Sequence, residues 1–157
     1  MQLIHAAEQG NPKEVANLLR NNPDCINQTN EENQTALFIA AERGYADIVA
    51  KLLDQPNIDV NKTDLLGYSP LHIASSEGHA DIVDLLIHAK AKTNQVTTDF
   101  DEENALHCAA KAGYTAIVHA LLEADATHID KKNKAGNMPL DLAVRNGDTN
   151  NVETLLK

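Results

Sequence analysis

The sequence predicts an all-α fold: short helix–turn–helix units stacked into a solenoid, with hairpin loops projecting between units. Three observations predict it. Gly10, Gly44, Gly78, Gly113 and Gly147 stand 34, 34, 35 and 34 residues apart. Seven residues before each glycine comes a leucine (Leu3, Leu37, Leu71, Leu106, Leu140), and four before it an alanine (Ala6, Ala40, Ala74, Ala109, Ala143). After each glycine a valine returns at the fifth position (Val15, Val49, Val83, Val118, Val152) and a leucine at the eighth (Leu18, Leu52, Leu86, Leu121, Leu155). Agreement across so many columns of a 157-residue chain marks an internal repeat.

Each unit reads as two helices. The first, as in SPLHIASSEG, carries apolar or small residues at Leu71, Ala74 and Ser75, the spacing of one helix face. Thr35, Ser69 and Asn104 stand where a side-chain oxygen can accept from the unpaired N–H groups of the first turn. Pro70 and Pro139 occupy the first helical position, where no N–H is missed. The glycine then ends the helix. The second helix, as in HADIVDLLIH, has a wider apolar face (Ile82, Val83, Leu85, Leu86, Ile87) and is expected to be the more buried of the two. Alanines on the first helix let units approach closely, so a core can form without large aromatics. Polar stretches such as IDVNKTDLLGYS separate the units, and Asp64 and Asn133, each three residues before a glycine, suit tight turns. The expected organisation is one domain over residues 1–157, with units at about 1–29, 30–63, 64–98, 99–132 and 133–157. The first and last units are expected to be caps with polar outer faces.

Composition narrows the function classes. Thirteen basic and 23 acidic residues give a net charge of −10, which disfavours nucleic acid, because phosphate needs clustered Lys and Arg. No apolar run reaches the roughly 18 residues of a membrane span, and MQLIHAAEQG lacks a signal-peptide pattern. Two cysteines, Cys25 and Cys108, fit reduced thiols in a cytoplasmic protein better than a disulfide scaffold. The seven histidines show no zinc-site spacing, and no Gly-rich phosphate loop or G-x-S-x-G is present. No catalytic residue, cofactor or metal is expected.

Residues 64–94, DLLGYSPLHIASSEGHADIVDLLIHAKAKTN, resemble the ankyrin repeat, and the likeness extends over essentially the whole chain. The resemblance implies a protein-binding module, with structural imidazoles at His72 and His107. It also implies that partners meet the hairpin tips and the outward positions before the helix-ending glycine. Carried over by position, these are Glu31, Glu32, Gln34, Glu42 and Arg43 in the second unit, and Leu65, Leu66, Tyr68, Ser76 and Glu77 in the third. The fourth unit supplies Phe100, Asp101, Glu103 and Lys111, and the last Lys134, Asn137 and Arg145. The sequence departs from the pattern at Phe38 and Asp141, which replace the first-helix histidine. Asn33, Glu102 and Lys90 replace expected glycines, and two extra residues lie between Asn94 and Asp99. Asp59-Val60-Asn61 is similar to the context that 2-oxoglutarate-dependent asparaginyl hydroxylases modify; an Asn61 that simply bonds the hairpin backbone is the competing reading.

Tyr68 and Phe100 are the only aromatics in variable positions, and with Leu65 and Leu66 they either form a docking patch or pack against neighbouring hairpins. Residues 30–103 hold 14 acidic and five basic residues, net −9, which reads either as a solvated surface or as an acidic groove selecting a partner's basic segment. The expected function is therefore a monomeric, non-catalytic adaptor that binds a protein partner. The alternatives are the targeting arm of a larger enzyme or of a bacterial effector delivered into a host cell, and a structural spacer.

Overall fold

The computed structural model describes all residues, 1–157, as ten helices without strands. They are α1 (Gln2–Glu8), α2 (Pro12–Asn21), α3 (Ala36–Arg43), α4 (Ala46–Leu53), α5 (Pro70–Glu77), α6 (Ala80–His88), α7 (Ala105–Ala112), α8 (Thr115–Ala124), α9 (Pro139–Arg145) and α10 (Thr149–Leu156). Short 3₁₀ turns follow α2 and α8, at Pro23–Cys25 and Ala126–His128. None of the helices is long and apolar enough to cross a membrane. Odd-numbered helices pack against one another along one layer, α1 on α3 on α5 on α7 on α9, and even-numbered helices form a second layer behind them.

The expected local signals operate. Thr35, Ser69 and Asn104 cap α3, α5 and α7 by accepting the N–H of Phe38, His72 and His107. Pro70 and Pro139 open α5 and α9. All five helix-ending glycines have positive φ. At Gly78 the requirement is double. Its φ is +83°, and the Tyr114 ring of the next unit lies where a Cβ would stand, at 2.5 Å. Tyr45 covers Gly10 and the His79 imidazole covers Gly44 in the same way, so these residues pack one unit on the next.

One expectation is reversed. The first helices, not the second, are the more buried: six of the eight residues of α3 and six of the eight of α7 are buried, against three of eight in α4 and three of ten in α8. A first helix has first helices on both sides and a second helix behind, whereas a second helix keeps one face in water. The alanines that lower the first helix's apolar count are what allow its close packing. Ser75 shows the consequence. It stands at the register of Ala41 and Ala110, fully buried, and its hydroxyl has no partner. Ser75→Ala is expected to raise stability by about 1 kcal/mol by removing a desolvated hydroxyl of nearly the same volume. An unchanged or lowered thermal midpoint would contradict this.

Candidate functional site

The hairpins are closed by a recurring device. A backbone N–H donates to the carbonyl four residues on, from Asn30 to Gln34, Asp64 to Tyr68 and Asn133 to Asn137. In the fourth unit the pair is Thr97 to Glu103, six residues on, which is where the two extra residues are accommodated. The opening Asn30, Asp64 and Asn133 side chains also accept backbone N–H groups of the turn. In the longer hairpin Thr97 Oγ1 accepts the Glu103 N–H at 3.0 Å, and Asp99 Oδ1 accepts from the Thr97 hydroxyl and from the N–H groups of Asp101 and Glu102. Burial works to raise the Asp99 carboxyl, but these donors and the Tyr68 hydroxyl outweigh it and hold it below its usual range.

Backbone bonds then tie the tips into one row. Leu65 N–H donates to Glu32 O at 3.1 Å, Thr98 N–H to Leu66 O at 2.9 Å, and Lys134 N–H to Asp101 O at 2.9 Å. Pairing between tips fixes which side chains project. Leu65, Leu66 and Phe100 are 69%, 56% and 93% exposed on the adjoining third and fourth tips. The first helices present Glu42, Arg43, Ser76, Glu77 and Lys111 beneath them, with Arg43, Glu77 and Lys111 exposed and Glu42 and Ser76 half-buried. At the ends of the row Glu31, Glu32, Lys134 and Arg145 are exposed, while Gln34 and Asn137 are half-buried within their hairpins.

Two candidates lie elsewhere than expected. Tyr68 is not a free fingertip: it is half-buried, its ring stands edge-on to His72 with centroids 6.1 Å apart, and its hydroxyl donates to Asp99 Oδ2 at 2.9 Å. For this residue the packing alternative is what the structure displays. Glu103 is 3% exposed, because closing the longer hairpin turns it inward, where Asn133 Nδ2 (3.3 Å) and Lys111 Nζ (3.4 Å) donate to its carboxylate. Its charge is therefore consumed within the fold.

The other chemistry-bearing groups are similarly engaged. His72 Nδ1 accepts from Ser69 Oγ at 2.7 Å and its Nε2 donates to Gln95 O at 2.9 Å; burial pushes its pKa down to about 4. His107 is held by Asn104 and by the Asn137 carbonyl, and burial likewise lowers it. Burial pushes the Cys108 thiol up to about 12, far from the thiolate a nucleophile needs. Asn61 Oδ1 accepts the Lys92 N–H of the next unit at 2.8 Å, so the amide joins units three and two. No three His, Cys, Asp or Glu side chains converge on a point that could hold a metal.

The repeat geometry agrees with the comparison against known families, in which a model of ankyrin repeats in three copies matches residues 3–97 and 84–157. The chain belongs to the ankyrin-repeat family. Comparison with curated proteins finds no match. Ankyrin repeats are generally protein–protein interaction modules. The departures from the ankyrin pattern now have physical accounts. Asn33, Lys90 and Glu102 take the positive φ of the glycines they replace, at 63°, 64° and 50°. Phe38 fills the histidine site as a buried hydrophobe. Asp141 keeps half of the histidine's role, since its carboxylate accepts the Met138 N–H at 2.8 Å. The ankyrin register contained a further signal. Lys134 lies one unit on from the fourth hairpin tip, and the structure pairs it with Glu102 at 3.0 Å.

Proposed function

We propose that this ankyrin-repeat chain is a non-catalytic adaptor that captures a partner protein across its third and fourth hairpin tips and the first-helix face beneath them. The single observation that carries the reading is the exposure of Leu65, Leu66 and Phe100 on tips locked together by the Thr98–Leu66 backbone bond. Bulky apolar side chains held in water on a rigid row supply contact area at little ordering cost. Partner selection would come from the surrounding carboxylates, favouring a protein with a basic segment over nucleic acid. The adaptor would act as a monomer in the cytoplasm, where the buried Cys25 and Cys108 stay as thiols.

The test is a crosslinking pull-down with the wild type and with Leu66→Ser/Phe100→Ser. Both positions are exposed, so the variant should keep its helical circular dichroism and melting midpoint. Partner capture is expected to fall by about tenfold or more. A folded variant that retains full capture would refute the reading.

A further inference from the structure

The acidic residues along the docking surface are not equivalent. Beyond Phe100 they are already paired: Lys111 Nζ lies 3.2 Å from Asp101 and 3.4 Å from Glu103, and Lys134 Nζ lies 3.0 Å from Glu102. Burial works against the Lys111 ammonium, yet Glu103 and Asp101 hold its pKa above the ordinary value. Toward the second unit Glu31, Glu32 and Glu42, and beneath the third tip Glu77 at the end of α5, enter no ion pair within the chain. The Glu42 carboxyl is raised, first by burial and then, against the pull of Arg43, by the negative charges of Glu77, Glu32 and Asp64. An open cavity of about 480 Å³ lies here, lined by Glu8, Glu31, Glu32 and Glu42 among others. Its cations are Arg43 and the Met1 ammonium, and the ammonium donates to Gln28 Oε1 at 3.1 Å. The exposed apolar tips thus have ion-paired carboxylates on one flank and, on the other, carboxylates that outnumber their cations and enter no ion pair.

We infer that the occupant of this surface is a polypeptide segment with bulky apolar residues flanked on one side by lysines or arginines. The apolar residues sit on Leu65, Leu66 and Phe100, and the basic flank lies over Glu31, Glu32, Glu42 and Glu77. This rests on the docking reading above and adds the partner's chemistry and direction. A neutral or acidic flank would cover four carboxylates and strip their water without replacing it. The reversed orientation would have to compete with Lys111 and Lys134 for carboxylates they already hold.

The probe is a random-peptide phage library panned on the whole chain, with enriched sequences resynthesised and titrated by fluorescence anisotropy. Enriched peptides should carry bulky apolar residues with Lys or Arg on one side. Glu42→Gln/Glu77→Gln should weaken them about tenfold, and Glu123→Gln/Glu153→Gln, exposed on α8 and α10 with the same change in net charge, by less than about twofold. Equal weakening by the two doubles, or an absence of enriched peptides, overturns the inference. Enriched peptides that lack basic residues but lose binding to Leu66→Ser/Phe100→Ser leave the docking surface standing and overturn only the partner chemistry. Enriched peptides indifferent to that tip variant overturn both.

Discussion

Gly67→Ala is expected to destabilise the protein by roughly 3 kcal/mol or more, several times the cost of Gly136→Ala. The two glycines occupy equivalent turns, with φ of +80° and +82°. Forcing alanine into the left-handed region accounts for about 1 kcal/mol at either position. The difference is what a methyl group meets. At Gly136 nothing lies within 4 Å, whereas at Gly67 a Cβ would stand 2.5 Å from Thr98 N and 2.8 Å from Thr98 Oγ1. Thr98 N is the atom that donates to Leu66 O, so relief of the clash must break the bond joining the third and fourth tips. Chemical denaturation of the two variants beside the wild type checks this. Equal losses would show that Thr98 can retreat freely and that the tip row is less rigid than the docking reading requires. Gly67→Ala should also weaken partner capture, by moving Leu66 away from Phe100, even in molecules that remain folded.

Stability is expected to fall as pH drops from about 6.5 toward 4, by on the order of 3 kcal/mol from His72 alone. The sign follows from proton counts. In the unfolded chain His72 titrates near 6.5, and in the folded chain burial holds it at about 4. Between those values the unfolded state binds the extra proton, so acid favours unfolding; above the window both states are neutral and the contribution is complete. His107 is lowered for the same reason and acts in the same direction. Asp99, held below the usual carboxylate range by its hydrogen-bond donors, adds its loss only at still lower pH. The chain contains its own control, because Phe38 fills the equivalent site of the preceding unit. Denaturation of His72→Phe at pH 7.5 and pH 5 should show a smaller stability difference than the wild type. An unchanged difference would remove His72 as the source.

How far each feature was legible depended on its range along the chain. Thr35, Ser69 and Asn104 were readable as caps because a cap acts over three residues. The turns at Asp64 and Asn133 were readable for the same reason, spanning four. Leu65, Leu66 and Phe100 were placed correctly on the tips, since the repeat register alone assigns a residue to a tip. Tyr68 and Glu103 were not. Their positions depend on Asp99 and Asn133, 31 and 30 residues away, and no pattern within one unit reveals which partner lies across the gap. Apolar count does not report the relative burial of the two helices, because the small residues of α3, α5 and α7 are what admit neighbours on both sides.

By itself, then, the sequence determined the helix pair, its recurrence, the helix caps and the register that assigns a residue to a tip or to a helix end. These follow from local backbone chemistry repeated at a fixed period. Only the tertiary structure decided which of those residues remain available. Stacking places Lys111 and Lys134 against Asp101, Glu102 and Glu103, and leaves Glu31, Glu32, Glu42 and Glu77 outside any ion pair. Charge is additive along a sequence, but pairing requires contact within a few ångströms, and contact between units is created only when the solenoid closes on its own core.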